Sequence, residues 1–150
     1  MKSPLGQTYR VIKKEGSGGF AITYRVKDET GLECILKVPR TDAAGTGDLD
    51  LRISSMEPES NVLKDLDSVA NVPRLLAYFE TNIEGTKLPI IVMELAKGIP
   101  LDKYLGDSLN SPQMDTEAIL SYVTKMCETM AEIHSNDLIH RDIKSPNLFI

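Results

Sequence analysis

The sharpest break in this chain falls at Gly98 to Pro100, and the apolar residues on its two sides follow different periods. Before it stand short runs of strand length: Tyr9 to Ile12, Ile22 to Val26, Cys34 to Val38, Leu75 to Glu80 and Leu88 to Glu94. The last two are joined by a polar segment with Gly85 and read as a hairpin. Val62, Leu63 and Leu66 follow Glu59 at helical spacing, which predicts a short helix that buries its leucines. After the break come Leu101 to Leu105 and then a long helix that begins behind Ser111 and Pro112. A strand-rich lobe followed by a helical one makes the fold class α+β.

The long helix places Ile119, Val123, Met126, Met130 and Ile133 on one line, with Leu120, Cys127 and Ala131 beside it. At about 100° per residue this arc covers roughly half the circumference, so the helix expects partners on more than one side. A chain of 150 residues has the size to bury about 70% of its unfolded surface, yet the arc argues against a self-sufficient domain. Thr41 to Asp50, rich in Ala, Gly, Thr and Asp, reads as a mobile connection. With 22 acidic against 17 basic residues and a net charge of -5, no basic excess points to nucleic acid. No run approaches the roughly 20 apolar residues of a membrane helix, and the N-terminus lacks the apolar core of a signal peptide. Cys34 in a strand and Cys127 in a helix read as reduced packing residues of a cytosolic protein, and nothing supplies further metal ligands at a recognisable spacing.

Two segments carry chemistry. Gly16, Ser17, Gly18, Gly19, Phe20 and Ala21 lie between strand-like runs, and a glycine-rich hairpin lets backbone amides approach phosphate oxygens without a Cβ in the way. Taken alone, such a run is more often a flexible turn than a phosphate cradle. Lys37 interrupts the Cys34 to Val38 run and must find an anion or reach solvent; Glu59 is the candidate partner. Further on, His140, Arg141, Asp142, Ile143, Lys144, Ser145, Pro146 and Asn147 form a short polar loop. Phosphoryl transfer rests on aligning a hydroxyl and neutralising charge on phosphate oxygens. Asp142 can accept a hydrogen bond from the hydroxyl, Lys144 can stabilise the migrating phosphate, and Asn147 offers an oxygen to magnesium, a hard cation. His140 and Arg141 suit the scaffold, Arg141 as a cation for a phosphorylated segment. A plain surface turn would use many of the same residue types.

The 140–147 segment resembles the catalytic loop of the eukaryotic-type protein kinase family, and the lysine two places after the aspartate is the serine/threonine form. Aminoglycoside-type phosphotransferases share the aspartate and asparagine but typically lack the arginine and this lysine. The resemblance implies a kinase-like α+β fold: an antiparallel-sheet N-lobe with helix αC and hinge over residues 1–97, and the start of a helical C-lobe over 98–150, stopping before the Asp-Phe-Gly segment. It implies ATP and Mg2+ as cofactors, a protein substrate with a Ser or Thr hydroxyl, no nucleic-acid or membrane partner, and a cytoplasmic location. Asp142 and Lys144 would be catalytic and Asn147 a metal ligand, with Lys37 and Glu59 holding the nucleotide phosphates. Met93 would be the gatekeeper, and Glu94 and Ala96 would face the adenine edge. Four positions depart from the family pattern: Ala21 for the third glycine, Thr23 for the valine over adenine, Ile35 for an alanine pointing to the same cleft as Lys37, and Pro58 before Glu59, which implies a late helix start or a kink. The 150 residues alone should be nearly inert, and the alternative is a non-catalytic, pseudokinase-like module that binds nucleotide or a partner.

Overall fold

A computed structural model describes residues 1, 3–4, 6–42, 48–106 and 114–150. The chain forms two compact units, Met1–Asp67 with Pro73–Leu95, and Ser68–Val72 with Ala96–Ile150.

In the first unit, β1 (Arg10–Ser17), β2 (Ala21–Lys27), β3 (Glu33–Pro39), β4 (Leu75–Ile83) and β5 (Thr86–Glu94) form an antiparallel sheet in the order β1-β2-β3-β5-β4. Alternation along β3 leaves Ile35 and Lys37 half-buried on one face and buries Cys34, Leu36 and Val38 on the other. On that face Val26, Cys34, Leu36, Val38, Leu88, Ile90 and Val92 pack together, with Tyr9 closing the cluster and stacking on Phe79 at 6.1 Å between ring centroids. Each such aliphatic side chain contributes about 1.5–3 kcal/mol by leaving water. The hairpin from β4 to β5 turns through Glu84 and Gly85, at φ 51° and 85°. Two consecutive left-handed residues match the right-handed twist of the strands, and the Asn82 side chain accepts the Gly85 N–H at 2.9 Å.

Between β3 and β4 lie α1 (Leu49–Ser54) and α2 (Met56–Asp65), separated at Ser55. The expectation of a mobile connection through Asp50 is corrected for 48–50: Asp48 caps α1, its carboxylate accepting the Leu51 N–H at 2.7 Å, while 43–47 lie outside the described residues. Pro58 explains the break. It has no N–H to give the Ser54 carbonyl, so the two helices cannot join in one ladder, and α2 holds Pro58 in its first turn as the late start requires. The side chains that α2 buries most deeply are Met56 and Ser60; of the leucines expected to be buried, Leu63 is half-buried beside Ala21 and Ile91 and Leu66 is buried as the C-cap, while Val62 is exposed.

The second unit contains α3 (Leu101–Gly106) and α4 (Thr116–Ser135). Asp115 caps α4 by accepting the Ala118 N–H at 2.8 Å; the expected start behind Ser111 and Pro112 falls on residues outside those described. Of the expected apolar arc, Ile133 is buried, Met126 and Met130 are half-buried, and Ile119, Leu120 and Val123 are exposed. Cys127 is also exposed, so it is not the packing residue its helical position suggests. Asn71 ties the Ser68–Val72 segment to α4 through the Thr129 hydroxyl at 3.2 Å. No helix among the described residues is long and apolar enough to cross a membrane.

Candidate functional site

In the first unit, the β1–β2 hairpin closes with the Gly18 N–H donating to the Ala21 carbonyl at 2.9 Å. A Cβ on Gly16 would stand 3.0 Å from Thr23 Oγ1, tighter than side chains ordinarily tolerate, so glycine suits this position. Thr23 lies opposite Lys37, Ala21 opposite Pro39, Ile35 opposite Met93 and Lys37 opposite Ile91. Paired residues of an antiparallel ladder share a face, so Gly16, Ala21, Thr23, Ile35, Lys37 and Met93 stand on one side of the sheet. Helix α2 packs on that side through Met56, against Ala21 and Ile91, with Met93 at the edge of the cluster. From α2, Glu59 takes Lys37 Nζ on both carboxylate oxygens, at 2.5 and 2.6 Å. The lysine within the apolar run thus finds its anion, as the charge in a half-buried strand demands. Ser17, Gly18, Gly19 and Phe20 make the tip of the hairpin.

Glu94 ends β5, and its carboxylate receives Arg74 Nε at 2.8 Å, Nη2 at 2.6 Å and the Arg74 N–H at 3.2 Å. The Glu94 N–H returns a bond to the Arg74 carbonyl at 3.0 Å. Ala96 belongs to the second unit and is half-buried. Arg74 and Arg40 have no role in the sequence reading. Arg74 sits just before β4, so its pairing becomes legible only when β4 and β5 are known to lie side by side. Arg40 follows β3 and donates through its guanidinium to Gly18 and Asp42.

In the second unit, the polar loop is organised around Asp142. Lys144 Nζ lies 2.8 Å from Oδ1, and Asn147 Nδ2 donates to Oδ2 at 2.8 Å and to the Asp142 carbonyl at 3.0 Å. A 3-10 turn over Ser145–Asn147, with Pro146 within it, brings the amide back over five residues. His140 Nδ1 accepts the Asp142 N–H at 3.3 Å. Arg141 has φ 60°, an unusual conformation for a side-chain-bearing residue, held here between these bonds. The hydrogen bond from Lys144, then that from Asn147 and the positive charges nearby, hold the Asp142 carboxyl below the usual carboxylate range, so it is ionised at neutral pH. The end of the loop is pinned to the start of α3: Ile99 and Ile150 exchange backbone bonds at 2.9 and 3.0 Å, and the Leu101 N–H reaches the Leu148 carbonyl at 2.8 Å. Gly98 takes φ 98° beside the Ile150 carbonyl, where a Cβ would collide with it.

Residues 9–150 match the protein kinase domain family. Serine/threonine-protein kinase PknA of Nostoc sp. is 29% identical over 154 aligned positions that take in 100% of this chain and 26% of that protein. Serine/threonine-protein kinase PrkC of Bacillus subtilis is 28% identical over 143 positions, covering 95% of this chain and 20% of the relative. Serine/threonine-protein kinase DCLK2 of Mus musculus is 30% identical over 149 positions, covering 98% and 18%. The chain thus spans about a quarter of the length of the first of these relatives and about a fifth of the others.

Proposed function

This chain belongs to the protein kinase domain family, and from that premise we propose that it is the leading part of a serine/threonine protein kinase domain that transfers the ATP γ-phosphoryl group to protein Ser or Thr hydroxyls. The observation that carries the reading is the Asp142 carboxylate held by Lys144 on one oxygen and Asn147 on the other. Each carboxylate oxygen keeps a second lone pair, so the ionised group can still accept the hydroxyl of an incoming Ser or Thr and orient it. In the transfer, the substrate oxygen bonds to the γ-phosphorus, the bond from phosphorus to the bridging oxygen breaks, ADP leaves, and the hydroxyl proton passes toward Asp142. The Lys144 ammonium neutralises charge on the migrating phosphoryl oxygens.

In the first unit, the Gly16 to Ala21 segment would receive the phosphates on turn amides other than that of Gly18, whose N–H is held by the Ala21 carbonyl, with Lys37 fixed by Glu59 as their counter-charge. Ala21 leaves those amides in place, since its side chain is buried and its carbonyl closes the turn. Thr23, Ile35 and Met93 would border the adenine, and Ile35, paired with Met93, would narrow that slot. Glu94 and Ala96 would offer backbone groups to the adenine edge. Asn147 fits a hard cation: its amide nitrogen is turned to Asp142, so its oxygen faces away as a donor of the type magnesium takes. Bound there, magnesium would neutralise phosphate charge. A cytoplasmic location agrees with a free, buried Cys34.

The test is phosphate transfer from labelled ATP to a generic protein substrate, using the domain completed with its downstream segment. Activity is expected, and Asp142→Asn should lower it by about a thousandfold with circular dichroism unchanged. Good folding and nucleotide binding without transfer would instead favour a non-catalytic module.

A further inference from the structure

The tip of the glycine-rich hairpin carries a brace to which the kinase reading assigns nothing. Arg40, the residue after β3, donates its N–H to the Phe20 carbonyl at 2.9 Å and its Nη1 to the Gly18 carbonyl at 3.0 Å. Its Nε and Nη2 meet the two carboxylate oxygens of Asp42 at 2.5 and 3.2 Å. The planar fork is therefore anchored on one side by a bidentate ion pair, which leaves Nη1 aimed at the turn. Asp42 is itself tied down. Its carbonyl accepts Nη1 of the buried Arg52 at 3.2 Å, Arg52 Nε reaches the Asp48 carbonyl at 3.2 Å, and Asp48 caps α1. A line of bonds thus runs from the hairpin tip to α1, and α1 leads through Ser55 to α2, which holds Glu59.

A turn with glycines at positions 16, 18 and 19 has much backbone freedom to lose on ordering. A trans peptide points its N–H opposite its C=O, so holding the Gly18 oxygen also sets the direction of the Gly19 N–H. We infer that Arg40 is a positioning residue for the triphosphate: held by Asp42, it orders the Gly18–Gly19 peptide before the phosphates arrive, without touching them. The inference rests on the ATP reading above. It differs from a phosphate contact by Arg40 itself, because Asp42 occupies two arms of the guanidinium.

Calorimetric titration of this chain with ATP and with adenosine separates the possibilities. Arg40→Ala is expected to weaken ATP binding roughly threefold to tenfold, the range of one hydrogen bond's net worth, and to leave adenosine binding unchanged. Arg40→Lys, which keeps the charge but not the fork, should recover part of the loss. Hydrogen exchange should quicken in residues 16–21 and stay the same in β5. Unchanged ATP affinity, or equal losses for ATP and adenosine, would overturn the inference. If Arg40→Ala does not fold, Asp42→Asn loosens the same anchor and should repeat the ATP-selective loss at smaller size; its absence overturns the inference equally. An unaltered chain that binds neither ligand refutes the ATP reading, whereas an unaltered chain that binds ATP no better than Arg40→Ala refutes only the brace.

Discussion

Replacing Glu59 with Gln takes one charge from the Lys37 pair and preserves the length of the side chain. The lysine nitrogen sits 2.5 and 2.6 Å from the two carboxylate oxygens, and the side chains are 23% and 36% exposed. Two unit charges 4 Å apart are worth roughly 4 kcal/mol at an effective dielectric of 20 and about 1 kcal/mol in water. Partial exposure puts this pair between those limits, and the cost of removing water from both ions cancels most of the attraction, which leaves about 1 kcal/mol net. A double-mutant cycle of Lys37→Met and Glu59→Gln, followed by urea unfolding, should therefore give a coupling energy of about 1 kcal/mol. Glu59→Gln alone should also weaken ATP binding about fivefold, because a lysine released from its carboxylate must be ordered again for the phosphates. Single-variant effects that add to within about 0.3 kcal/mol would refute the claim that sheet and helix α2 are joined through this pair.

Because Asp142 has a lowered pKa in the folded chain, its pairing contributes stability above the ordinary carboxylate pKa, and that contribution is lost as pH falls through the lower folded value. Lys144→Ala should move the Asp142 titration upward toward the ordinary value in carboxylate-resolved NMR; an unmoved titration would contradict Lys144 as the first cause. Burial, with a smaller effect from Asp28, pushes the Cys34 thiol up to about 11, while Cys127 is exposed. A thiol reagent should accordingly modify one cysteine rapidly in the native chain and the second only in denaturant. Gly98→Ala forces a Cβ onto the Ile150 carbonyl at a left-handed φ and should cost at least about 1 kcal/mol locally. Amide exchange at Ile99 and Ile150 would rise while β3 stays protected; equal protection in both would show that the bridge tolerates a side chain.

The strands were legible because their residues alternate or cluster as apolar runs, and the β4–β5 hairpin because Gly85 permits its turn. Pro58 likewise announced the late start of α2, since a missing N–H acts within one turn of its own position. Helix α1 was not legible. Its residues Leu49, Asp50, Leu51, Arg52, Ile53 and Ser54 alternate as a strand would, yet the Asp48 cap, the buried Arg52 and the packing of Ile53 against the sheet core make them a helix. Nor did helical spacing identify Met56 and Ser60 as the deepest residues of α2, because the face a helix buries is chosen by the surface it meets.

The sequence by itself determined the local chemistry: a turn of glycines that bares its amides, and a loop in which Asp142, Lys144 and Asn147 are close enough along the chain to meet with little help. The Lys37–Glu59 pair, which the sequence offered as a candidate, forms across 22 residues, whereas only the tertiary structure decided that Arg74 meets Glu94 across 20 and that Arg40 reaches Gly18 across 22. Such contacts depend on which strands become neighbours and in what register, and a local period of two or 3.6 carries no information about either.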